Sequence, residues 1–164
     1  MMDQLIVGIS DYRIASAPAV LTTYGLGSCM GVALYDEVTK TGGLIHILLP
    51  DSRQFEDSNN DFRFADTGLP RMVTNLESQG AVKRRLWAKI AGGASMFGTR
   101  ECGRGLDIGG QNIKAVCDIL KKMNIPVKKK DVGGHGSRTL HFNLETGLLT
   151  VRKIEKEKVA VKEF

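Results

Sequence analysis

Apolar residues along this chain fall into two periods, one near two and one near 3.6. The segment from Gln4 to Ser10 alternates weakly and predicts a first strand. Val20 to Tyr24, Met30 to Tyr35 and Gly43 to Leu49 are short apolar runs and predict three more, with Asp36 to Gly42 as a hairpin turn. Asp51 to Asp61 is polar and acidic, which predicts a surface loop. The period then changes. Leu69, Met72, Val73 and Leu76 recur at helical spacing. Asp66 or Thr67 suits the cap of that helix, Pro70 its first turn and Gly80 its end. Arg85 to Ala91 predicts a strand with Leu86, Ala88 and Ile90 on one face, ended by Gly92-Gly93-Ala94. Gly98 to Gly110 is glycine-rich and charged, hence a loop, and contains Cys102. A second helical stripe follows at Ile113, Val116, Cys117, Leu120 and Met123, closed by Asn124 and Pro126. The remainder is strand-like. Leu140, Phe142 and Leu144 alternate, Glu145-Thr146-Gly147 turns, and Leu149 and Val151 alternate back as a hairpin. A polar Lys/Glu-rich segment with Val159 and Val161 closes the chain.

Four strands precede the first helix, so regular βαβ alternation is excluded. The pattern predicts an α+β fold: a layered, mixed, mostly antiparallel β-sheet system with two main helices packed on one side. No repeat, low-complexity tract or long linker interrupts residues 1–164, which predicts one domain.

Composition changes this picture little. The chain is 42% hydrophobic and 25% charged, ordinary for a globular protein with a real core. No apolar run approaches a membrane span, and the N-terminus lacks the basic and apolar regions of a secretory signal. Cys29, Cys102 and Cys117 have no paired spacing, which argues against a disulfide framework and fits a reducing cytoplasm. Charge changes it more. Residues 1–82 hold five Lys/Arg against ten Asp/Glu, whereas residues 83–164 hold eighteen against eight. A basic half attracts an acidic protein, an anionic lipid or a nucleic acid, or is simply a solvated surface. Nucleic acid fits least, because no recognition motif is present and aromatic residues are only 6%.

The chemistry concentrates in Gly25-Leu26-Gly27-Ser28-Cys29-Met30-Gly31. As a dinucleotide loop this stretch fails, because such a loop opens a helix and this one opens the strand at Val32. As a nucleophile turn it fits. The glycines strip away bulk around the Cys29 thiol, and a turn leaves N–H groups of Ser28, Cys29 or Met30 free to meet an oxyanion. Gly27 and Ser28 are therefore the candidate substrate-backbone contacts. A thiol needs a base. His46, set among Leu44, Ile45, Ile47 and Leu48, needs a polar partner and brackets a neighbouring strand. Thr23 is placed to orient its ring, through its hydroxyl or its carbonyl. The bland alternatives are a buried apolar cysteine and a core histidine bonded to a backbone carbonyl. Metal binding is not expected, since Cys29, His46, Cys102, Cys117, His135 and His141 lack the close pairs of a zinc site. Cys117 fits the helical stripe as core, Cys102 is incidental, and neither His135 nor His141 is given a role.

Four blocks in this order resemble one family: Gly25-Leu26-Gly27-Ser28-Cys29; Gly42-Gly43-x-x-His46-x-x-Leu49-Pro50; Ala88-Lys89-Ile90-Ala91-Gly92-Gly93-Ala94-Ser95-Met96-Phe97; and Asp131-x-Gly133-Gly134. The chain resembles the CheD chemoreceptor glutamine deamidases. The resemblance implies a layered fold similar to cytotoxic necrotizing factor-type deamidases. It implies a cytoplasmic hydrolase of chemotaxis signal transduction, a protein-glutamine glutaminase that converts receptor glutamines to glutamate and ammonia. Some members also hydrolyse receptor methyl esters. The family's Cys, His and Thr map onto Cys29, His46 and Thr23, with no cofactor. The partners implied are chemoreceptors (methyl-accepting chemotaxis proteins) and the phosphatase CheC, with the protein a monomer or a heterodimer with CheC. An alternative role is that of a non-catalytic regulator of CheC. The chain departs from the family's Ile-Gly-x-Arg-Asn, reading Ile108-Gly109-Gly110-Gln111-Asn112.

Overall fold

The computed structural model describes residues 2–55, 59–95 and 107–164. Ten strands form two five-stranded sheets. The first sheet has the order β1-β3-β8-β9-β10, from Asp3–Ile6, Ala19–Leu26, Ser137–Asn143, Leu149–Glu155 and Lys158–Glu163. The second has the order β2-β5-β4-β6-β7, from Asp11–Ser16, Thr41–Ile47, Met30–Asp36, Trp87–Gly92 and Val127–Val132. Only β1–β3 and β6–β7 pair in parallel. Helices α1 (Ala65–Ser78) and α2 (Ile108–Lys122) complete the fold.

The pleat of β4 separates two cores, because successive side chains point to opposite faces. Met30, Val32 and Leu34 face α1 and α2, where Leu69, Met72, Leu76, Val116 and Leu120 bury the stripes read from the sequence. Cys29, Ala33 and Tyr35 face the other sheet and pack with Leu26, Leu140, Phe142 and Val151. The order is thus helices, sheet, sheet, with both helices on one side, as expected for the α+β reading. Central strands β4, β5 and β6 are buried at every position. Their continuous apolar runs follow from being covered on both faces.

The structure corrects several boundaries. Helix α1 starts at Ala65, capped by Phe64 without a side-chain hydrogen bond, so neither Asp66 nor Thr67 is its N-cap. Asp66 instead accepts from the Ser52 backbone N–H and hydroxyl. Pro70 therefore lies in the second turn, where it contributes no N–H to the helix. Helix α2 starts at Ile108, with the Asp107 carboxylate accepting from Gly110 N–H, so Gly109 and Gly110 are helical and not loop. The first strand ends at Ile6, short of Ser10. Among its described residues, Asp51 to Asp61 includes a 3-10 turn at Ser52–Gln54, and another begins at Asp61. Strand β2 and strand β10 complete the two sheets without having been recognised in the sequence, and β7 was read only as part of a strand-like remainder. Met96, Phe97, Cys102 and most of the Gly98 to Gly110 stretch lie outside the described residues.

Candidate active site

The glycine turn carries β3 of one sheet into β4 of the other. Its conformation follows from glycine. Gly25 has φ +69°, inside a register shift between Thr23 and Leu26 where β3 bulges away from β8. Gly92, at the end of β6, has φ +119°, and a Cβ there would lie 2.2 Å from the Cys29 carbonyl oxygen. The backbone of β6 thus comes as close behind the cysteine as any chain can.

All carbonyls of the Gly27–Cys29 turn are engaged. Gly27 accepts from Ala94 N–H at 2.9 Å and Cys29 from Gly93 N–H at 2.8 Å. Ser28 accepts from Asn112 Nδ2 at 2.9 Å. Among the described residues, no backbone carbonyl accepts from the N–H of Ser28 or of Cys29, and the Cys29 N–H faces its own thiol. The turn therefore turns its acceptors inward and keeps donors in hand. Of the two glycine-turn contacts proposed from sequence, Ser28 keeps a free N–H, and Gly27 contributes its carbonyl to the scaffold.

His46 is paired across the ladder with Gly31, so it lies diagonally from Cys29 on the same face of the sheet. It is fully buried. Its Nδ1 lies 2.8 Å from Thr23 Oγ1, and the Thr23 hydroxyl donates to the Val7 carbonyl at 2.8 Å. A hydroxyl has one proton. With that proton on Val7, Thr23 must accept from His46 Nδ1–H, and the lone pair of the ring is left on Nε2. His46 Nε2 is buried and has no hydrogen-bond partner among the described residues, the Cys29 thiol included. The orientation expected of Thr23 thus comes through its hydroxyl and not its carbonyl. A catalytic hydrogen bond is often unmade before a substrate arrives.

Electrostatics favour two neutral groups. Burial lowers the His46 pKa from 6.5 to about 4. Burial raises the Cys29 pKa above 9.0, opposed by a backbone hydrogen bond. At neutral pH the site holds a thiol beside a neutral imidazole with an open Nε2.

The other candidates are elsewhere. Cys117 is a half-buried free cysteine packed against the helical core. His141 meets Thr22 Oγ1 at 3.0 Å, on the opposite side of β3 from Thr23. His135 is exposed, with Nδ1 3.0 Å from the Ser95 carbonyl. No group of His, Cys, Asp and Glu among the described residues is arranged to hold a metal ion. No helix among them is long and apolar enough to cross a membrane. Gln111, where the family carries Arg, lines a cleft with Pro50, Asp51 and Lys114.

Two supporting residues were not assigned from sequence. Arg138 is 1% exposed and donates to the carbonyls of Gly92 and Gly133, fixing the glycine turns behind Cys29. Asn112 reaches the Cys29 turn from α2. A buried-type spacing gives neither away, since Arg138 lies on an alternating strand and Asn112 on a helix start. The Arg138 contact to Gly92 and the Asn112 contact to Ser28 span 46 and 84 residues.

Comparison with known proteins bears on the family of the chain. A family model described as CheD chemotactic sensory transduction matches residues 48–153. A probable chemoreceptor glutamine deamidase CheD of Clostridium novyi is 47% identical over 152 residues, 93% of this chain and 94% of that protein. One of the same description from Desulforamulus reducens is 47% identical over 148 residues, 90% of this chain and 89% of that protein. Similarity at this level over nearly the whole length shows that the chain belongs to the CheD family.

Proposed function

We propose that this protein hydrolyses the side-chain amide of chemoreceptor glutamines through a thioester on Cys29. The observation that carries the reading is the His46 ring. Its proton is held on Nδ1 by Thr23, and its unpaired Nε2 sits on the face that bears the thiol. A base with a fixed tautomer and no competing partner is what a neutral thiol requires. The names of the relatives supply the substrate class.

Nε2 takes the Cys29 proton as sulfur attacks the carboxamide carbon. The N–H groups of Ser28 and Cys29 are the donors that meet the oxyanion. His46 returns the proton to the departing ammonia, and the thioester remains. Nε2 then draws a proton from water, hydroxide attacks the thioester, and glutamate leaves as the thiol is restored. Because both groups start neutral, the proton moves during attack and no ion pair is formed beforehand.

Incubation with purified chemoreceptor tests the reading. Ammonia released in proportion to glutamate formed is the expected result. Tight binding of receptor or of CheC with no ammonia would favour a purely regulatory protein.

A further inference from the structure

We infer that Asn112 is a positioning residue that holds the Cys29 turn in register with the strand bearing His46. This rests on the Cys29–His46 reading above. The β4–β5 ladder ends at the pair Met30↔Ile47. Continued by one residue, it would pair Cys29 with Leu48. There the backbone ladder stops, and a side chain takes its place. Asn112 Nδ2 donates to the Ser28 carbonyl at 2.9 Å and to the Leu48 carbonyl at 3.0 Å. One amide nitrogen, with its two protons, thus ties the residue before the nucleophile to the residue two after the base.

The amide has only one workable orientation. Reversed, Oδ1 would face two carbonyl oxygens and no donor. In the observed orientation Oδ1 is buried and has no hydrogen-bond partner. Asn112 is fully buried, so this is an unfavourable position for a free acceptor. An apolar residue of similar size would avoid that cost and lose the bridge. The bridge is the property that distinguishes asparagine here. On the other side of β4 the turn is held by backbone alone, through Gly93 and Ala94. Asn112 is thus the one side chain whose hydrogen bonds join the nucleophile's turn to the base's strand among the described residues.

The clamp is tested by the alkylation rate of Cys29 with iodoacetamide at pH 7, which needs no receptor. Wild type is compared with Asn112→Ala, His46→Ala and the double variant, and Asn112→Asp serves as a same-sized variant without the donors. The other cysteines are followed separately by peptide mass spectrometry. A misplaced base should slow alkylation about tenfold in Asn112→Ala and in Asn112→Asp. In the double variant the loss should be no larger than in His46→Ala, because the clamp acts only through the base. Losses that multiply, or a lower melting temperature with an unchanged alkylation rate, would overturn the clamp. If His46→Ala leaves alkylation unchanged, the Cys29–His46 pair fails and the clamp with it.

Discussion

At the scale of single residues, the site depends on where one proton sits. Val7 takes the Thr23 proton, Thr23 takes the His46 Nδ1 proton, and Nε2 is left unprotonated for the role proposed above. Replacing Thr23 by Val keeps the volume and removes the relay. We expect kcat to fall by about tenfold to a hundredfold while the melting temperature changes little, and Thr23→Ser to recover most of it. The second residue-scale expectation concerns the thiol. Burial raises the Cys29 pKa above its ordinary 9.0 and lowers that of His46 to about 4. The Cys29 alkylation rate should therefore keep climbing past pH 9. A plateau of thiolate reactivity between pH 5 and 7 would reveal a preformed ion pair and contradict the neutral starting state. These three residues were visible from the sequence, because a glycine-flanked cysteine and a polar ring in an apolar strand are local signals. The Asn112 contact to Ser28 and the Arg138 contact to Gly92 were not, since each exists only after distant segments meet.

At the scale of elements, the strands around the site were the most legible. The segments β4, β5 and β6 are apolar and bounded by glycine or turns, as strands covered on both faces must be, and β3 is buried over most of its length. The strands that were missed or blurred are at the margins. β7 carries Lys128, Lys129 and Lys130, all exposed, and β10 is exposed at every position. They pair by backbone hydrogen bonds to β6 and β9; the lysine run of β7 hides any period, and Val159 and Val161 of β10 alternate but stay exposed. β2 alternates Tyr12 and Ile14 against Arg13, a short signal on an edge strand. The element most sensitive to change is the end of β6. Gly92→Ala imposes an unfavourable φ and pushes a Cβ against the Cys29 carbonyl. Urea unfolding should show a loss of at least about 1–3 kcal/mol, with activity falling further than stability explains. A substitution without effect on either would mean that the turn is not held as described.

At the scale of the whole molecule, acid response follows from two buried groups. Asp36, at the end of β4, accepts from Arg85, Val82 and Val38. Burial alone would raise its pKa, but these hydrogen bonds and the Arg85 charge outweigh it and bring 3.8 down to about 2. Both Asp36 and His46 have lower pKa values folded than unfolded, so the unfolded chain binds protons first and stability falls as pH falls. For His46 the window runs from pH 6.5 down to about 4, and for Asp36 from 3.8 down to about 2. Urea denaturation across pH should show a decline beginning below 6.5, and His46→Gln should remove the upper part of it. An unchanged slope in that variant would place the acid sensitivity elsewhere.

The charge asymmetry has a spatial counterpart. Lys83, Arg84 and Lys128 lie by the Trp87 end of β6, whereas Cys29 lies by its Gly92 end. This part of the basic charge is remote from the thiol, so its field acts weakly on the thiol itself.

The most direct test of the central claim is peptide mass spectrometry of purified chemoreceptor after incubation with wild type, Cys29→Ala or His46→Ala protein. Each deamidated glutamine gains about one mass unit, because NH₂ is exchanged for OH. The account predicts this gain at specific receptor glutamines with wild type, and a rate lower by about 10³-fold or more with either folded variant. Conversion at the wild-type rate by Cys29→Ala would contradict it.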